Sequence, residues 1–225
     1  MASVADNLIM LAESFRELEL RYQRSAGSAR LLAVGKRHDV AALRAAYAAG
    51  QRDFGENYLQ EALDKQLALA GLDIVWHYIG AIQSNKTGAI AANFDWVHTV
   101  ERQRVADRLN HQRSAKQAPL NVLIQVNISG EASKHGVDPD DLAALAQHVH
   151  GLPQLRLRGL MALPAPESSV ERQRAAFARV SELAHEHIPG FDTLSMGTSA
   201  DYPAAIAEGA TLIRLGTALF GPRPD

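Results

Sequence analysis

Lys36 follows directly on the apolar run Leu31–Gly35, where a strand would end and deliver its next side chain to the mouth of a closed core. An amine stripped of water, or placed beside other cations, gives up its proton more readily, and the neutral form attacks an aldehyde carbon to make an imine. Arg37 and His38 adjoin it in sequence. The plainer alternative is a rim lysine that only reaches for solvent. Two further groups bear on the choice. Ser199 follows Gly197-Thr198, and Gly216-Thr217 closes the run Leu212–Leu215. Glycine-exposed backbone N–H groups with a hydroxyl are the usual donors to a phosphate. Arg214 lies inside that last run and shares parity with Gly216, opposite Ile213 and Leu215. Its guanidinium stays charged and only donates, so inside a core it needs an acceptor. A salt bridge would serve, and so would the ring nitrogen of a ligand.

These residues must be positioned by something, and the pattern of apolar runs says what. Leu8, Leu11, Phe15, Leu18 and Tyr22 recur at three- and four-residue intervals, which predicts a helix over 6–24. Eight short apolar runs follow: Leu31–Gly35, Asp53–Glu56, Trp76–Gly80, Trp96–Val100, Asn121–Ile128, Leu157–Leu163, Thr193–Gly197 and Leu212–Gly216. Most gaps between them read as helices, among them Asp39–Ala49, Asp138–His150, Ser168–His187 and Ala200–Glu208. Regular alternation of strand and helix indicates a parallel sheet. Eight units in 225 residues, with no excess length, predict one (β/α)₈ barrel spanning 1–225, with residues 1–28 packing on it as an N-terminal helical segment. In such barrels ligands gather where the strands end, and phosphates at the last two strands. Lys36, Asn57, Ser199 and Gly216-Thr217 all stand at strand ends.

Composition excludes other classes. Net charge is −2, from 23 basic and 25 acidic residues, so no cationic footprint for nucleic acid is expected. Without cysteine there is no disulfide and no thiolate chemistry. Asp6, Glu13, Glu17 and Glu19 interrupt the first 20 residues, unlike a secretory signal, and no run elsewhere suggests a membrane span. The expectation is a cytoplasmic protein. The pairs His148/His150 and His185/His187 fall in predicted helices, where residues two apart diverge, so no metal site is expected. Arg102, Arg104, Arg108, Arg113 and Lys116 read as a solvated helix face.

An imine-forming lysine, a phosphate site and a guanidinium for a ring nitrogen together suit pyridoxal 5′-phosphate (PLP). The sequence closely resembles the pyridoxal phosphate homeostasis protein family, itself similar to the barrel domain of alanine racemase. The resemblance rests on segments in matching order: Phe54-Gly55-Glu56-Asn57-Tyr58, Trp76-His77-Tyr78-Ile79-Gly80, Gln83-Ser84-Asn85-Lys86, Arg158-Gly159-Leu160-Met161-Ala162, Leu194-Ser195-Met196-Gly197, and Arg214-Leu215-Gly216-Thr217. It implies a fold-type III PLP barrel with PLP held on Lys36 as an internal aldimine. It also implies phosphate contacts from Ser199, Gly216 and Thr217, a pyridine contact from Arg214, and Asn57, His77 and Met196 near the cofactor. Gly35-Lys36-Arg37 stands where the family often shows Ser-Lys-Thr, Ala81 where proline is usual, and Thr198 where methionine is frequent.

What the imine is for is a separate question. Related racemases draw a second acid/base, a tyrosine, from a further domain of a partner subunit, whereas this sequence ends at Asp225, five residues after Phe220. A guanidinium at the ring nitrogen also weakens PLP as an electron sink. The expectation is a monomeric PLP carrier or regulator with no substantial turnover, whose recipients would be apo PLP-dependent enzymes. Two alternatives stay open: a small racemase-like PLP enzyme, and a Schiff-base aldolase acting on a phosphosugar.

Overall fold

The computed structural model describes residues 3–129, 135–167 and 169–222. In chain order the elements are α1 (Val4–Arg21), β1 (Arg30–Val34), α2 (Val40–Ala48), β2 (Asp53–Glu56), α3 (Leu59–Ala68), β3 (Val75–Tyr78), α4 (Thr87–Asn93) and β4 (Trp96–Val100). Then come α5 (Gln103–Gln112), β5 (Leu120–Val126), α6 (Leu142–His150), β6 (Leu155–Ala162), α7 (Val170–His187), β7 (Thr193–Ser195), α8 (Tyr202–Ala207), β8 (Leu212–Leu215) and α9 (Thr217–Phe220). All eight strands pair in parallel and in sequence order, and β8 closes onto β1. The predicted barrel is the observed one: β2 and β4 have the expected bounds, and the other strand ends move by at most two residues. The predicted helix at 138 begins as a single 3₁₀ turn, Pro139–Asp141, before α6. Ser168, predicted to open α7, lies outside the described residues.

Strand alternation builds two layers. Ala33, Phe54, Val97, Leu160, Leu194, Ile213 and Leu215 face outward into the main core shared with the helices. Leu32, Ile79 and Leu212 face inward on one side of the barrel, and Trp96, Leu123 and Met161 on the other. The alternation fails on β4 between Val97 and Val100, and again on β6, where the reason is clear. Gly159 sits at a register shift between β5 and β6 with φ +148°, and a Cβ there would overlap Thr193 O. Helix α1 begins with a reciprocal cap between Ser3 and Asp6 and lies over α2, α8 and α9. Its polar side chains tie it down: Asn7 Nδ2 donates to Leu219 O at 2.8 Å, and Ser14 Oγ meets the Tyr202 hydroxyl at 3.0 Å.

Two members of the arginine series depart from expectation: Arg108 is half-buried and donates to the Thr87 hydroxyl at 3.1 Å, and Arg113 departs further. Arg102, Arg104 and Lys116 are exposed, but Arg113 is buried. It donates to Ala91 O (2.6 Å), Phe94 O (2.8 Å) and Ala118 O (2.9 Å), so it satisfies carbonyls at the end of α4 that have no helical partner. Arg113→Ala is expected to cost about 2–3 kcal/mol in denaturant unfolding, because the buried carbonyls lose a charged donor. Arg104→Ala, on the exposed face, is expected to stay within about 0.5 kcal/mol.

No helix among the described residues is long and apolar enough to cross a membrane.

Candidate functional site

The chain reverses after β1 in a four-residue turn in which His38 N donates to Gly35 O at 2.9 Å. Arg37 takes the left-handed conformation, φ +62°, which costs a side-chain-bearing residue energy and must be held by its surroundings. Glu61 does so by accepting the Arg37 N–H at 2.6 Å. Beneath the turn lies Lys65, one turn further along α3. Its ammonium donates to Gly35 O (2.6 Å), Glu56 Oε1 (2.7 Å) and Glu61 Oε1 (2.7 Å). Glu56 is fully buried on the outward face of β2, and its Oε2 has no partner among the described residues. Burial pushes its carboxyl up to about 7, against the pull of Lys65. The segment from Glu56 to Lys65 is thus a brace that fixes the turn carrying Lys36.

Lys36 projects from this turn into a cavity of about 370 Å³ at the C-terminal end of the barrel. Val34, Ile79, Met161 and Leu163 give it apolar walls, and its polar lining comes from Lys36, Asn57, Thr198, Ser199, Arg214 and Thr217, with Gly216 at the floor of the last loop. The Lys36 ammonium lies 4.9 Å from the centre of the Tyr58 ring. The backbone N–H groups of Ser199 and Ala200 make no hydrogen bond within the described residues, and Thr198 is occupied by Asp201 at 2.6 and 2.9 Å. Gly80 lets β3 pass tight against β2 here, since a Cβ would overlap Asn57 O and displace that residue from the lining. An amine, a guanidinium and a set of free donors therefore share one pocket large enough for a small phosphorylated ring.

Of the eight residues expected at the site, six line this cavity: Lys36, Asn57, Ser199, Arg214, Gly216 and Thr217. His77 and Met196 do not. Met196 has the opposite parity to Ser195, so it faces outward, fully buried in the core between sheet and helices. His77 does face inward, but one residue pair below Ile79, in the packed middle of the barrel. There it belongs to a line of polar groups unforeseen in the sequence. Asp53 Oδ1 meets His77 Nε2 at 3.0 Å, and His77 Nδ1 meets His98 Nε2 at 2.9 Å. His98 Nδ1 meets Ser195 Oγ at 3.0 Å, and Ser195 Oγ accepts from Arg214 Nη1 at 2.9 Å. Arg214 Nη1 also donates to Ser195 O at 2.5 Å, and Nη2 to Ala162 O at 2.9 Å. These bonds leave Nε–H and one Nη2 hydrogen for a ligand. Period-two alternation in Val75–Tyr78 and Trp96–Val100 was the available signal that His77 and His98 share the interior.

Burial holds both histidines below the ordinary imidazole value, His98 well below it, with the charges of His77 and Arg214 adding to the effect on His98 and Asp53 opposing it at His77. Both are neutral in the fold near pH 7. A depressed folded pKa gives stability that is complete above the unfolded value of about 6.5 and is lost as pH falls below it, by up to about 1.4 kcal/mol per pH unit for each histidine. Glu56, raised to about 7, acts in the opposite sense between its unfolded value near 4.5 and 7. Thermal unfolding at pH 7.5 and 5.5 is expected to show a smaller acid loss in His98→Asn than in the unaltered chain. Equal losses would mean that His98 takes up no proton on unfolding.

Comparisons with known proteins agree with the fold. The family described as alanine racemase, N-terminal domain, matches residues 11–224. The pyridoxal phosphate homeostasis protein of Pseudomonas aeruginosa is 56% identical over 223 residues, covering 99% of this chain and 97% of that protein. That of Escherichia coli K12 is 48% identical over 232 residues, covering 99% and 98%. PipY of Synechococcus elongatus PCC7942, solved with PLP bound, is 39% identical with a TM-score of 0.84, covering 97% of this chain and all of PipY. Alanine racemase from Corynebacterium glutamicum shares the fold, at 21% identity and a TM-score of 0.67, over 95% of this chain but 61% of its own. With a closed barrel, a lysine after its first strand and relatives matched almost end to end, the chain belongs to the alanine racemase N-terminal domain family and, within it, to the pyridoxal phosphate homeostasis proteins.

Proposed function

We propose that this chain binds PLP in the mouth cavity, holds it covalently on Lys36, and releases it to other proteins without turning over a substrate of its own. The observation that carries the reading is that Lys36, Arg214 and the Ser199/Gly216/Thr217 donors line one cavity of suitable volume. The residues fit the cofactor's chemistry group by group. The Lys36 amine adds to the aldehyde carbon, a C=N bond replaces C=O, and one water leaves. Ser199, Thr217 and the N–H groups of Ser199 and Ala200 are donors for the phosphate. The spare N–H groups of Arg214 suit an acceptor nitrogen in the ring, and Val34, Ile79 and Met161 its apolar faces. Bound PLP supplies an electron-withdrawing ring, and a guanidinium at its nitrogen keeps that nitrogen unprotonated, which suits storage better than carbanion chemistry. The names of the relatives, homeostasis proteins, point the same way.

The test is direct. Protein incubated with PLP and passed over a desalting column is expected to keep a visible absorption band. It should also restore activity to an apo PLP enzyme mixed with it. A colourless protein would sink the reading. Loss of optical purity from single-enantiomer amino acids at enzyme-like rates would replace carriage with racemisation.

A further inference from the structure

We propose that Ser195 and His98, backed by His77 and Asp53, form a one-way hydrogen-bond line through the barrel interior that positions the Arg214 guanidinium for the ring nitrogen of the bound cofactor. The proposal rests on the reading that PLP occupies the mouth cavity.

The direction of the line follows from its two ends. Arg214 can only donate, so Ser195 Oγ accepts from it and has its own hydrogen left to give. That hydrogen goes to His98 Nδ1, which makes His98 the Nε2–H tautomer. His98 Nε2 then donates to His77 Nδ1, and His77 Nε2 to Asp53 Oδ1. At the far end the Asp53 carboxylate only accepts. Burial works against its charge, but the hydrogen bond from His77 and the charges of His77 and Arg30 outweigh it and keep the pKa below the usual Asp value. Every tautomer is thereby set by the ends, with no donor facing a donor and no acceptor facing an acceptor. The line starts near the barrel floor, where Asp53 opens β2, and ends at the mouth on β8. Asp53 is 21% exposed, whereas His77, His98 and Ser195 are nearly or completely shut off from solvent.

Packing holds the line in place. Trp96 stacks on His77 with ring centres 5.3 Å apart and planes 11° from parallel, and meets His98 edge-on. The charged groups facing the line are Arg214 at one end and Asp53, Asp95 and Arg30 at the other. A satisfied apolar interior would have needed none of these groups, and four polar side chains in one barrel core are costly unless each is bonded. Their shared terminus, Arg214, is among the described residues the one buried cation that reaches the cavity. Ser195 and His98 are positioning residues in this scheme, since neither lines the cavity itself.

The experiment compares PLP-loaded protein with its Ser195→Ala and His98→Leu variants. Both are expected to shift the visible band and its pH profile, and to lose PLP faster on dilution by about tenfold, the equivalent of one lost bond to a charged group. His98→Asn, which can still accept from Ser195, should recover most of the difference. Variants with lowered Tm but an unchanged band, pH profile and release rate would reduce the line to core packing and overturn the proposal. Ser195→Ala removes a single oxygen, so it carries the test if His98→Leu does not fold. Imidazole nitrogen NMR of the cofactor-free protein is an independent check: both rings should be neutral Nε2–H tautomers, and an Nδ1–H on either breaks the line. A protein that never acquires a visible band fails at the level of PLP binding instead, with the NMR result standing separately.

Discussion

Lys36→Ala is expected to abolish the visible band of PLP-treated protein while leaving the fold intact. The side chain is half-buried at the cavity and packs against Tyr58 rather than into the core, so its removal leaves no sealed void. The brace that holds the turn engages Gly35 O and Arg37 N, both backbone atoms, and so survives the change. Phosphate and ring contacts through Ser199, Thr217 and Arg214 also remain. PLP should therefore still bind, reversibly and without colour, with affinity reduced by at least about 100-fold, which corresponds to roughly 3 kcal/mol. Absorbance, together with equilibrium dialysis of PLP, measures both parts. A band that persists in Lys36→Ala would place the covalent bond elsewhere, with Lys86 near the neighbouring pocket the first residue to examine.

The second large effect is expected one layer below. Lys65→Met removes the ammonium that joins Gly35 O, Glu56 and Glu61. Breaking a buried pair by deleting one partner costs about 3–5 kcal/mol, because the other charge stays buried without compensation. In a chain of this size that corresponds to a fall in Tm of roughly 6–20 °C. Glu56 can relieve part of the cost by taking up a proton, and its pKa is already pushed up to about 7 by burial. The loss should accordingly be smaller at pH 6 than at pH 8. Adding Glu56→Gln should recover part of it, since the buried charge then disappears. The functional consequence is local. With Glu61 no longer anchored, the left-handed Arg37 loses its support and the Lys36 turn loosens. Lys65→Met is expected to release PLP faster than the unaltered chain even at temperatures where both are folded. Equal release rates would separate the brace from the site.

Much of this molecule could be read before any coordinates. Eight apolar runs separated by helical segments are a one-dimensional pattern, and a closed parallel barrel is the compact way to bury them all. Lys36, Asn57, Ser199, Gly216 and Thr217 were legible because each follows a strand, and strand ends converge at one mouth. Arg214 was legible in part: parity puts it on the face of Gly216, opposite Ile213 and Leu215, and the closed barrel makes that face the interior. Parity also speaks against Met196 at the cavity, since Ser195 takes the inward direction on β7; here the family resemblance pointed to a residue that local geometry turns outward. His77 was expected near the cofactor from the resemblance alone; it faces the interior below the cavity, because alternation gives direction and only strand register gives height within a barrel.

Contacts between residues distant in sequence lay beyond that reach. Nothing along the chain joins Asp53 to His77, His98, Ser195 and Arg214, whose strands meet only when the barrel closes. Arg113 likewise reads as one more surface charge until α4 and α5 pack and leave carbonyls that need a donor. The sequence alone determined which polar groups stand at strand ends, since periodicity is a local property. Only the tertiary structure decided how those groups are braced and linked, because hydrogen bonding inside a closed core depends on which strands become neighbours and at what height.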